Sequence, residues 1–338
     1  MRNLLAFLLF LGLVGCSQNP KEAEQKQKNK RLPASKGLPS ELLLVVDKAV
    51  WDSDVADTLM CVTEEPVAGL TQSEPFFRVS RIFSSFYTQR FTTMHSQLFV
   101  HLDEQQATPL LGVSYDVVAK PQIQVTVRAH DLSQLRSFLS QKRILIQDLL
   151  CDAQLDMRVS SLRKKYSRKV FDEAKEKFGV SFLAPEEIHM TKRGDSFLWG
   201  GTGKEEKDLN VVLYSYPWDG SEVSDAYAFA DKRDSVMQTN IPGGEPDQWM
   251  QTTRERGTPV LFSRQRKIGN RHVFEVRGLW EMHHAAMGGP FVSHVCVDTA
   301  SQRVLVAEGF AYSPSTEKRD LIRLLEASLR TLDIPKKK

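Results

Sequence analysis

The stretch QIQVTVRAHDLSQL, residues 122 to 135, joins a predicted strand to the longest predicted helix of this 338-residue chain. Apolar and polar side chains alternate in its first half, which places one set on each face of a strand. The apolar face consists of Ile123, Val125 and Val127. Asp131, with Gln134 three residues later, resembles a capping box at the start of a helix. The stretch therefore predicts a half-buried strand that leads directly into a helix.

The predicted helix continues to about Lys177, where Gly179 is a suitable C-terminal glycine. Because this length exceeds that of ordinary globular helices, we expect one break, near residues 141–143 or 151–152. Upstream, the run ELLLVV at residues 41–46 is typical of a buried strand, and residues 53–60 are predicted to form a brief helix. FFRVSRI and QLFVHLD follow as further strands. The first half thus runs strand, helix, several strands, helix.

The second half repeats this order. Strands are predicted at VSFLA, SFLWG and LNVVLYSYPW, a helix at residues 225–237, and four more strands at PVLFSRQ, RHVFEVRGLW, PFVSHVCVD and RVLVAEGFAY. The last two strands form a predicted hairpin with its turn near residues 299–302. An amphipathic helix at 317–332, capped by Ser315 or Thr316, closes the chain.

These patterns predict an α+β fold built from two similar units, residues 41–178 and 179–335. Each unit is expected to hold a mainly antiparallel sheet with helices packed on one face. The repeated order of elements suggests an internal duplication, although no repeat is legible residue by residue.

The front of the chain has the features of an export signal. Arg2 precedes the apolar run of residues 4–14, which as a helix would rise about 16 Å and cannot span a membrane. Leu13-Val14-Gly15-Cys16 has the form of a bacterial lipobox, so we expect residues 1–15 to be a signal peptide and Cys16 to carry diacylglycerol and a further acyl chain. An ordinary signal peptide with an incidental cysteine, or a buried first helix, are the alternatives.

Residues 16–40 have the composition of a flexible tether, rich in Lys, Glu, Gln and Asn. Ser17, rather than aspartate, after the lipidated cysteine favours transfer to an outer membrane. We therefore expect a protein anchored to the membrane through Cys16, attached to the outer membrane and facing the periplasm.

Composition excludes two classes of protein. The formal net charge is +3, and it falls to +2 without residues 1–15, which contain one arginine and no other charged residue. The chain therefore lacks the excess of positive charge expected of a nucleic-acid-binding protein. Apart from Cys16 the chain has Cys61, Cys151 and Cys296, which allow at most one bridge and therefore no disulfide scaffold.

Short catalytic and cofactor motifs fail on spacing. WGGTGKEEKD resembles a phosphate loop, but Leu198 and Glu205 stand where that loop needs glycine and serine or threonine. GVSYD ends in Asp116, whereas a nucleophile elbow ends in glycine. No HExxH or CxxC occurs. We therefore predict no cofactor and no catalytic residue.

A histidine-rich stretch, Arg271 to Asp298, is the most suggestive region. It contains His272, His283, His284 and His294. Imidazoles around a turn can bind zinc or copper, and on a strand His294 would share a face with Cys296 and Asp298. Because His283 and His284 are adjacent, they diverge on any regular element, so we expect surface or loop histidines and no metal site.

Carboxylates and tryptophans give weaker hypotheses. Glu275, Glu281 and Glu308 could supply an acid and a base, and tryptophans such as Trp280 could stack on sugars. The resulting speculative ligand region consists of Trp280, Glu281, His283, His294 and Glu308.

Several segments together resemble a Bacteroidota lipoprotein family described as domain of unknown function 4837. The segments are LPASKGLPSELLLVVDKAVW, FLWGG, YSYPW, KRDSVMQTNIPGGEPDQWM, RGLWEM, MGGPFVSH and VAEGFAYSP. The resemblance spans nearly the whole chain after the signal and implies an envelope lipoprotein, without implying an activity. His283 and His284 depart from the polar residues expected there, which argues against a histidine metal site common to the family.

The sequence therefore favours a lipid-anchored, non-catalytic binding or assembly protein, whose partner is another envelope protein or a glycan. The alternative is an envelope hydrolase or glycan-binding protein that uses residues 280–294. A deep polar pocket containing Glu281, His283 and Glu308 would favour the enzyme, a shallow aromatic groove would favour glycan binding, and an apolar patch would favour a protein partner.

Overall fold

The computed structural model describes residues 32–335. The predicted signal peptide, Cys16 and the first part of the tether lie outside the described residues, as do residues 336–338. Within the described range, no helix combines the length and apolar composition needed to cross a membrane.

A five-stranded sheet forms the first unit, in the order β2-β1-β3-β5-β4. Its strands are β1 Glu41–Val46, β2 Arg78–Phe83, β3 Ser96–Leu102, β4 Leu110–Tyr115 and β5 Ile123–Ala129. Strand β1 runs parallel to β2 and β3, and β3 runs parallel to β5; only the edge strand β4 is antiparallel. The expected mainly antiparallel pairing is therefore wrong for this sheet. The continuous apolar run of β1, buried on both faces, is typical of a central parallel strand.

Helices of the first unit lie on one face of its sheet. These are α1 Lys48–Trp51, α2 Val55–Thr63 and α3 Leu132–Leu162. Alternate residues of β1 and β5 pack against α2 and α3 in one core, as the alternation in β5 predicts. Asp131 caps α3 by accepting a hydrogen bond from the Gln134 backbone amide at 2.9 Å, which confirms the predicted start of the helix.

Helix α3 continues for 31 residues without the break predicted near 141–143 or 151–152. Its core-facing residues keep a helical spacing through both places, so packing on the sheet favours an unbroken helix. The chain breaks instead at Ser167, which caps α4 (Arg168–Phe178) by accepting from the Val170 amide. Gly179 ends α4 in the left-handed conformation, as predicted.

An eight-stranded antiparallel sheet forms the second unit, in the order β12-β13-β14-β15-β8-β7-β6 with β9 beside β13. The strands are β6 Met190–Gly194, β7 Phe197–Gly201, β8 Asp208–Pro217, β9 Met250–Thr252, β12 Leu261–Ile268, β13 Arg271–Met282, β14 Gly288–Asp298 and β15 Arg303–Tyr312. Two short strands, β10 Arg254–Glu255 and β11 Thr258–Pro259, pair with each other. The predicted hairpin is present, with its turn at Thr299–Ser301 between β14 and β15.

Helices cover both faces of this second sheet. Helices α4 and α6 (Arg319–Arg330) lie on one face, and α5 (Ala226–Asn240) lies on the other. The α+β class is confirmed, but the expectation of helices on one face holds only for the first unit. A long sheet with apolar residues on both faces needs cover on both. Because the two sheets differ in strand order and direction, the structure gives no support to an internal duplication.

Candidate functional site

The two units meet along α6, the last helix. Leu321, Leu325 and Leu329 of α6 belong to the core of the second unit, whereas Ala327 packs in the core of the first. Helix α4, which the sequence-based division assigns to the first unit, contributes Val170 to the second core. The junction is therefore a shared, buried helix between two sheets.

The first unit also supplies the cap of α6. Glu74 accepts hydrogen bonds from the backbone amides of Lys318 and Arg319, at 2.6 and 2.9 Å. No side chain at the N-cap position itself caps the helix, so the predicted caps, Ser315 and Thr316, are not used. A carboxylate at a helix N-terminus satisfies free amides and is favoured by the helix dipole. Glu74 thereby ties the segment before β2 to α6.

Asp320, in the first turn of α6, binds two arginines of the first unit. Its carboxylate lies 2.6 Å from Arg78 Nη1 and 3.0 Å from Arg158 Nη2, and it accepts a hydrogen bond from Ser40 Oγ at 2.5 Å. Burial raises the pKa of Asp320, but the Ser40 hydrogen bond and the nearby arginines outweigh burial, and the net pKa is lowered.

We expect this carboxylate to make folding sensitive to acid. Because the pKa of Asp320 is lower in the folded state, its stabilisation is present above the unfolded-state pKa of about 4 and is lost as the pH falls through the folded-state pKa. In Asp320→Asn, the unfolding free energy should therefore fall less steeply below about pH 4. The change in its pH slope should not exceed the contribution of one titrating proton. Urea unfolding at a series of pH values measures this, and an unchanged slope would contradict it.

A row of aspartates on α3 faces arginines of the second unit. Asp148, Asp152 and Asp156 are four residues apart and share one face of the helix. Arg264 Nη1 lies 3.0 Å from Asp148, and Arg266 Nη2 lies 2.8 Å from Asp152. The two arginines are two residues apart on β12, so they share one face of that strand. These ion pairs form the charged seam of the junction.

Beside this seam lies a cleft of about 760 Å³ between the two units. The loop of residues 65–73 and α3 form its first wall, and β12, β13 and α6 form its second. Its apolar lining includes Val67, Ala68, Leu70, Phe76, Ile144, Val260, Phe262 and Leu279. Its ionisable lining includes Glu65, Arg143, Arg264, Glu275, Arg277, Arg323 and Glu326.

Glu275 and Glu326 share Arg277 in the floor of the cleft. Arg277 Nε donates to Glu275 Oε1 at 3.0 Å, and Arg277 Nη2 lies 2.7 Å from Glu326 Oε2. Burial raises the pKa of both carboxyls, but Arg277 is the main cause of a net lowering for each, with Arg264 adding to it for Glu275. Both groups are therefore held as carboxylates.

His294 lies behind these two carboxylates and is fully buried. Its Nε2 is 3.9 Å from Glu275 Oε2, too long for a hydrogen bond, and neither ring nitrogen has a hydrogen-bond partner. Burial lowers the pKa of His294 to about 4, so the ring is neutral at pH 7. The expectation of surface histidines is wrong for His294, whereas His272 and His284 are exposed.

The other residues of the speculative ligand region are scattered. Trp280 is buried against Phe310 on the α5 face of the second sheet. Glu281 accepts a hydrogen bond from Gln251, and His283 stacks on Trp249 with ring centroids 4.2 Å apart. The structure does not bring them together with Glu308 or His294 in one pocket.

Glu308 is fully buried on the opposite face of the sheet from His294. It is bound by Arg233 of α5, whose Nε and Nη2 donate at distances from 2.8 to 3.1 Å, and by Ser293 Oγ at 2.7 Å. Both charged side chains have no solvent exposure. This pair is a structural element of the α5 face and leaves Glu308 without free oxygen atoms for acid–base chemistry.

Sequence reasoning missed Arg264, Arg277 and Glu326 as members of the site. A detectable signal was present in the four-residue spacing of Asp148, Asp152 and Asp156, which places three carboxylates on one helix face.

Cys61 is exposed, Cys151 and Cys296 are buried, and all three are free thiols.

Two family models match this chain. Residues 167–331 match "Domain of unknown function (DUF4837)", and residues 35–163 match "Domain of unknown function (DUF8532)". The resemblance inferred from the sequence therefore holds for the second half, while the first half matches a different model. The boundary between the two matches, at residues 163–167, coincides with the break between α3 and α4.

Comparison with known proteins adds no functional information. No curated protein matches the chain. Among solved structures, the Ran-binding protein Mog1p of Saccharomyces cerevisiae is similar at 10% identity with a TM-score of 0.29, covering 46% of this chain and 91% of that one. A mutant of protein Mog1 gives 11% identity, a TM-score of 0.28, and coverages of 46% and 89%. Scores this low carry no argument about fold or function. The chain is thus similar to two families of unknown function, DUF4837 in its second half and DUF8532 in its first half.

Proposed function

We propose that this protein is a non-catalytic binding protein of the bacterial cell envelope, which receives an apolar segment of another envelope component in the cleft between its two units. The observation that carries the binding role is the cleft itself, about 760 Å³ in volume. Ligand sites are commonly concave, largely apolar and located between domains. Ile144 and Phe262, each about half exposed, line this space.

The state of the ionisable side chains in the cleft favours binding over catalysis. A general base or acid works best with a pKa near neutrality and a free proton-accepting atom. Glu275 and Glu326 have lowered pKa values and are tied to Arg277, while burial raises the pKa of the Cys151 thiol. These groups stabilise the wall of the cleft and are poorly suited to transfer protons or attack a substrate.

Features of the sequence alone support the envelope location. The lipobox around Cys16 and the polar tether after it favour a lipid-anchored protein at the outer membrane, facing the periplasm. The resemblance of the second half to the DUF4837 family supports a Bacteroidota source. A Cys16→Ala chain should leave the membrane fraction of cells, and its full retention there would contradict the anchor.

The cleft can be tested by photo-crosslinking in intact cells. A photoreactive phenylalanine analogue at Phe262, which is 49% exposed and lines the cleft, should capture a component that the same analogue at Tyr227, 59% exposed on α5, does not. Ala68→Trp, which fills the cleft, should abolish that product. Ala285→Trp places the same side chain at an exposed position outside the cleft lining and serves as the matched control.

Two results would overturn the binding role. One is the same set of products from Phe262 and Tyr227. The other is a Phe262 product that persists at full yield in the Ala68→Trp protein, since a ligand seated in the cleft must compete with the added indole. Circular dichroism of the Ala68→Trp protein separates occlusion from misfolding.

A further inference from the structure

We propose that Glu275, His294 and Glu326 bind a divalent transition-metal ion, with Zn²⁺ as the class of ion that fits the donor set. The three residues come from β13, β14 and α6, and each offers one ligand atom such that all three atoms lie within 4.8 Å of one another. All three side chains are at most 2% exposed. The inference is independent of what the cleft binds.

Unpartnered atoms at this place point to a ligand. His294 has no hydrogen bond at either ring nitrogen, and Glu275 Oε2 has none either. A buried polar atom without a partner costs about 1–3 kcal/mol, so native structures rarely leave three together. A metal ion that binds one ring nitrogen of His294 and one oxygen from each carboxylate gives a partner to two of these three atoms, and the second ring nitrogen then carries the hydrogen.

Glu275 Oε1, the carboxylate oxygen that would not bind the metal, is held by hydrogen bonds from two arginines, as is common for carboxylates that bind metals. Glu275 Oε1 accepts from Arg277 Nε at 3.0 Å and from Arg264 Nε at 3.2 Å, which leaves Oε2 directed towards His294. Hydrogen bonds of this kind orient ligating carboxylates. Zinc bonds of about 2.0–2.2 Å place neighbouring ligand atoms roughly 3.4 Å apart, so small rotations of the glutamate side chains would close the site.

Charge balance permits a cation despite the nearby arginines. The ion-pair network around Glu275 contains four arginines (Arg264, Arg266, Arg277, Arg330) and five carboxylates (Asp148, Asp152, Asp156, Glu275, Glu326). These nine ion-paired side chains carry one net negative charge, and the charge of Arg271 also reaches His294. A divalent ion with one anionic fourth ligand would bring the nine ion-paired side chains to neutrality.

The test is zinc binding by the tag-free protein after treatment with a chelator. We expect one equivalent of Zn²⁺ by elemental analysis after dialysis, and a raised melting temperature because zinc binds only the folded state. His294→Leu should weaken zinc binding by more than about 100-fold. Even the loss of a residue that only hydrogen-bonds to a metal ligand lowers metal affinity by about 10–100-fold. His283→Ala removes a half-buried histidine outside the cluster and should bind zinc as the unmodified protein does.

Two outcomes would overturn the site. One is well under one equivalent of zinc in the unmodified protein, as expected if water satisfies these atoms. The other is unchanged zinc binding by a folded His294→Leu protein. Should His294→Leu fail to fold, X-ray absorption of the zinc-loaded unmodified protein decides, because nitrogen and oxygen neighbours support the site, and a sulfur neighbour from Cys151 or Cys296 contradicts it.

Discussion

Arg233→Met should destabilise the folded protein by about 3–5 kcal/mol, since it leaves the Glu308 carboxylate buried without its counter-ion. Arg233 donates to both oxygens of Glu308, and its Nη1 lies 3.2 Å from Thr252 Oγ1. Methionine can occupy the same space beside Phe291, whose ring centroid is 4.2 Å from the guanidinium carbon. The expected loss therefore comes from the unpaired charge rather than from a cavity.

A double-mutant cycle separates these causes. Removing both charges with Arg233→Met and Glu308→Gln should recover more than half of the loss, because replacing a buried ion pair by neutral groups is often nearly neutral. Arg163→Met changes an exposed arginine at the end of α3 and should cost less than about 0.5 kcal/mol. Urea unfolding measures the four proteins of the cycle and the Arg163→Met control, and a double variant no more stable than Arg233→Met would contradict an electrostatic origin.

Local patterns in the sequence determine much of this fold. Alternation in β5, the Asp131 cap of α3, the glycine after α4 and the hairpin of β14 and β15 were all predicted from neighbouring residues. The register of that hairpin also contained information about the site. A turn at residues 299–301 pairs Ser293 with Glu308 and His294 with Ala307, so His294 and Glu308 must lie on opposite faces of the sheet.

Contacts distant in sequence were not predictable in this way. The parallel pairing of β1 with β2 and β3 depends on crossover connections that no single segment specifies. Glu74 caps a helix that begins more than 240 residues later, at Arg319. Glu275 and His294 meet because β13 pairs with β14, but Glu326 joins them only once α6 has packed on that sheet. The candidate site is therefore a product of tertiary packing, which explains why no motif indicated it.

Asp152→Ala should weaken the junction between the two units by about 2–3 kcal/mol. Asp152 is contacted by both Arg266 and Arg330, whose side chains are only 9% and 7% exposed. Its loss removes the carboxylate that the two arginines share, so that Arg266 keeps only the longer contacts to Asp148 and Glu275, and Arg330 keeps only Asp156. Hydrogen bonds to charged groups contribute about 1.5–3 kcal/mol each, and the 37% exposure of Asp152 reduces the sum because water screens the pair.

Asp156→Ala is the matched control, one helical turn further along the same face of α3. Its side chain is 73% exposed and reaches only Arg330, at 3.4 Å, so the expected cost is below about 0.5 kcal/mol. Because the seam is one of the contacts between the two units, we expect Asp152→Ala also to split thermal unfolding into two transitions, with α3 and the first sheet separating from the second sheet. Calorimetry records this. Two transitions would show that the charged seam couples the two units. A single transition at an unchanged temperature would contradict this, and would mean that α6 holds the units together through Glu74 and its shared core contacts.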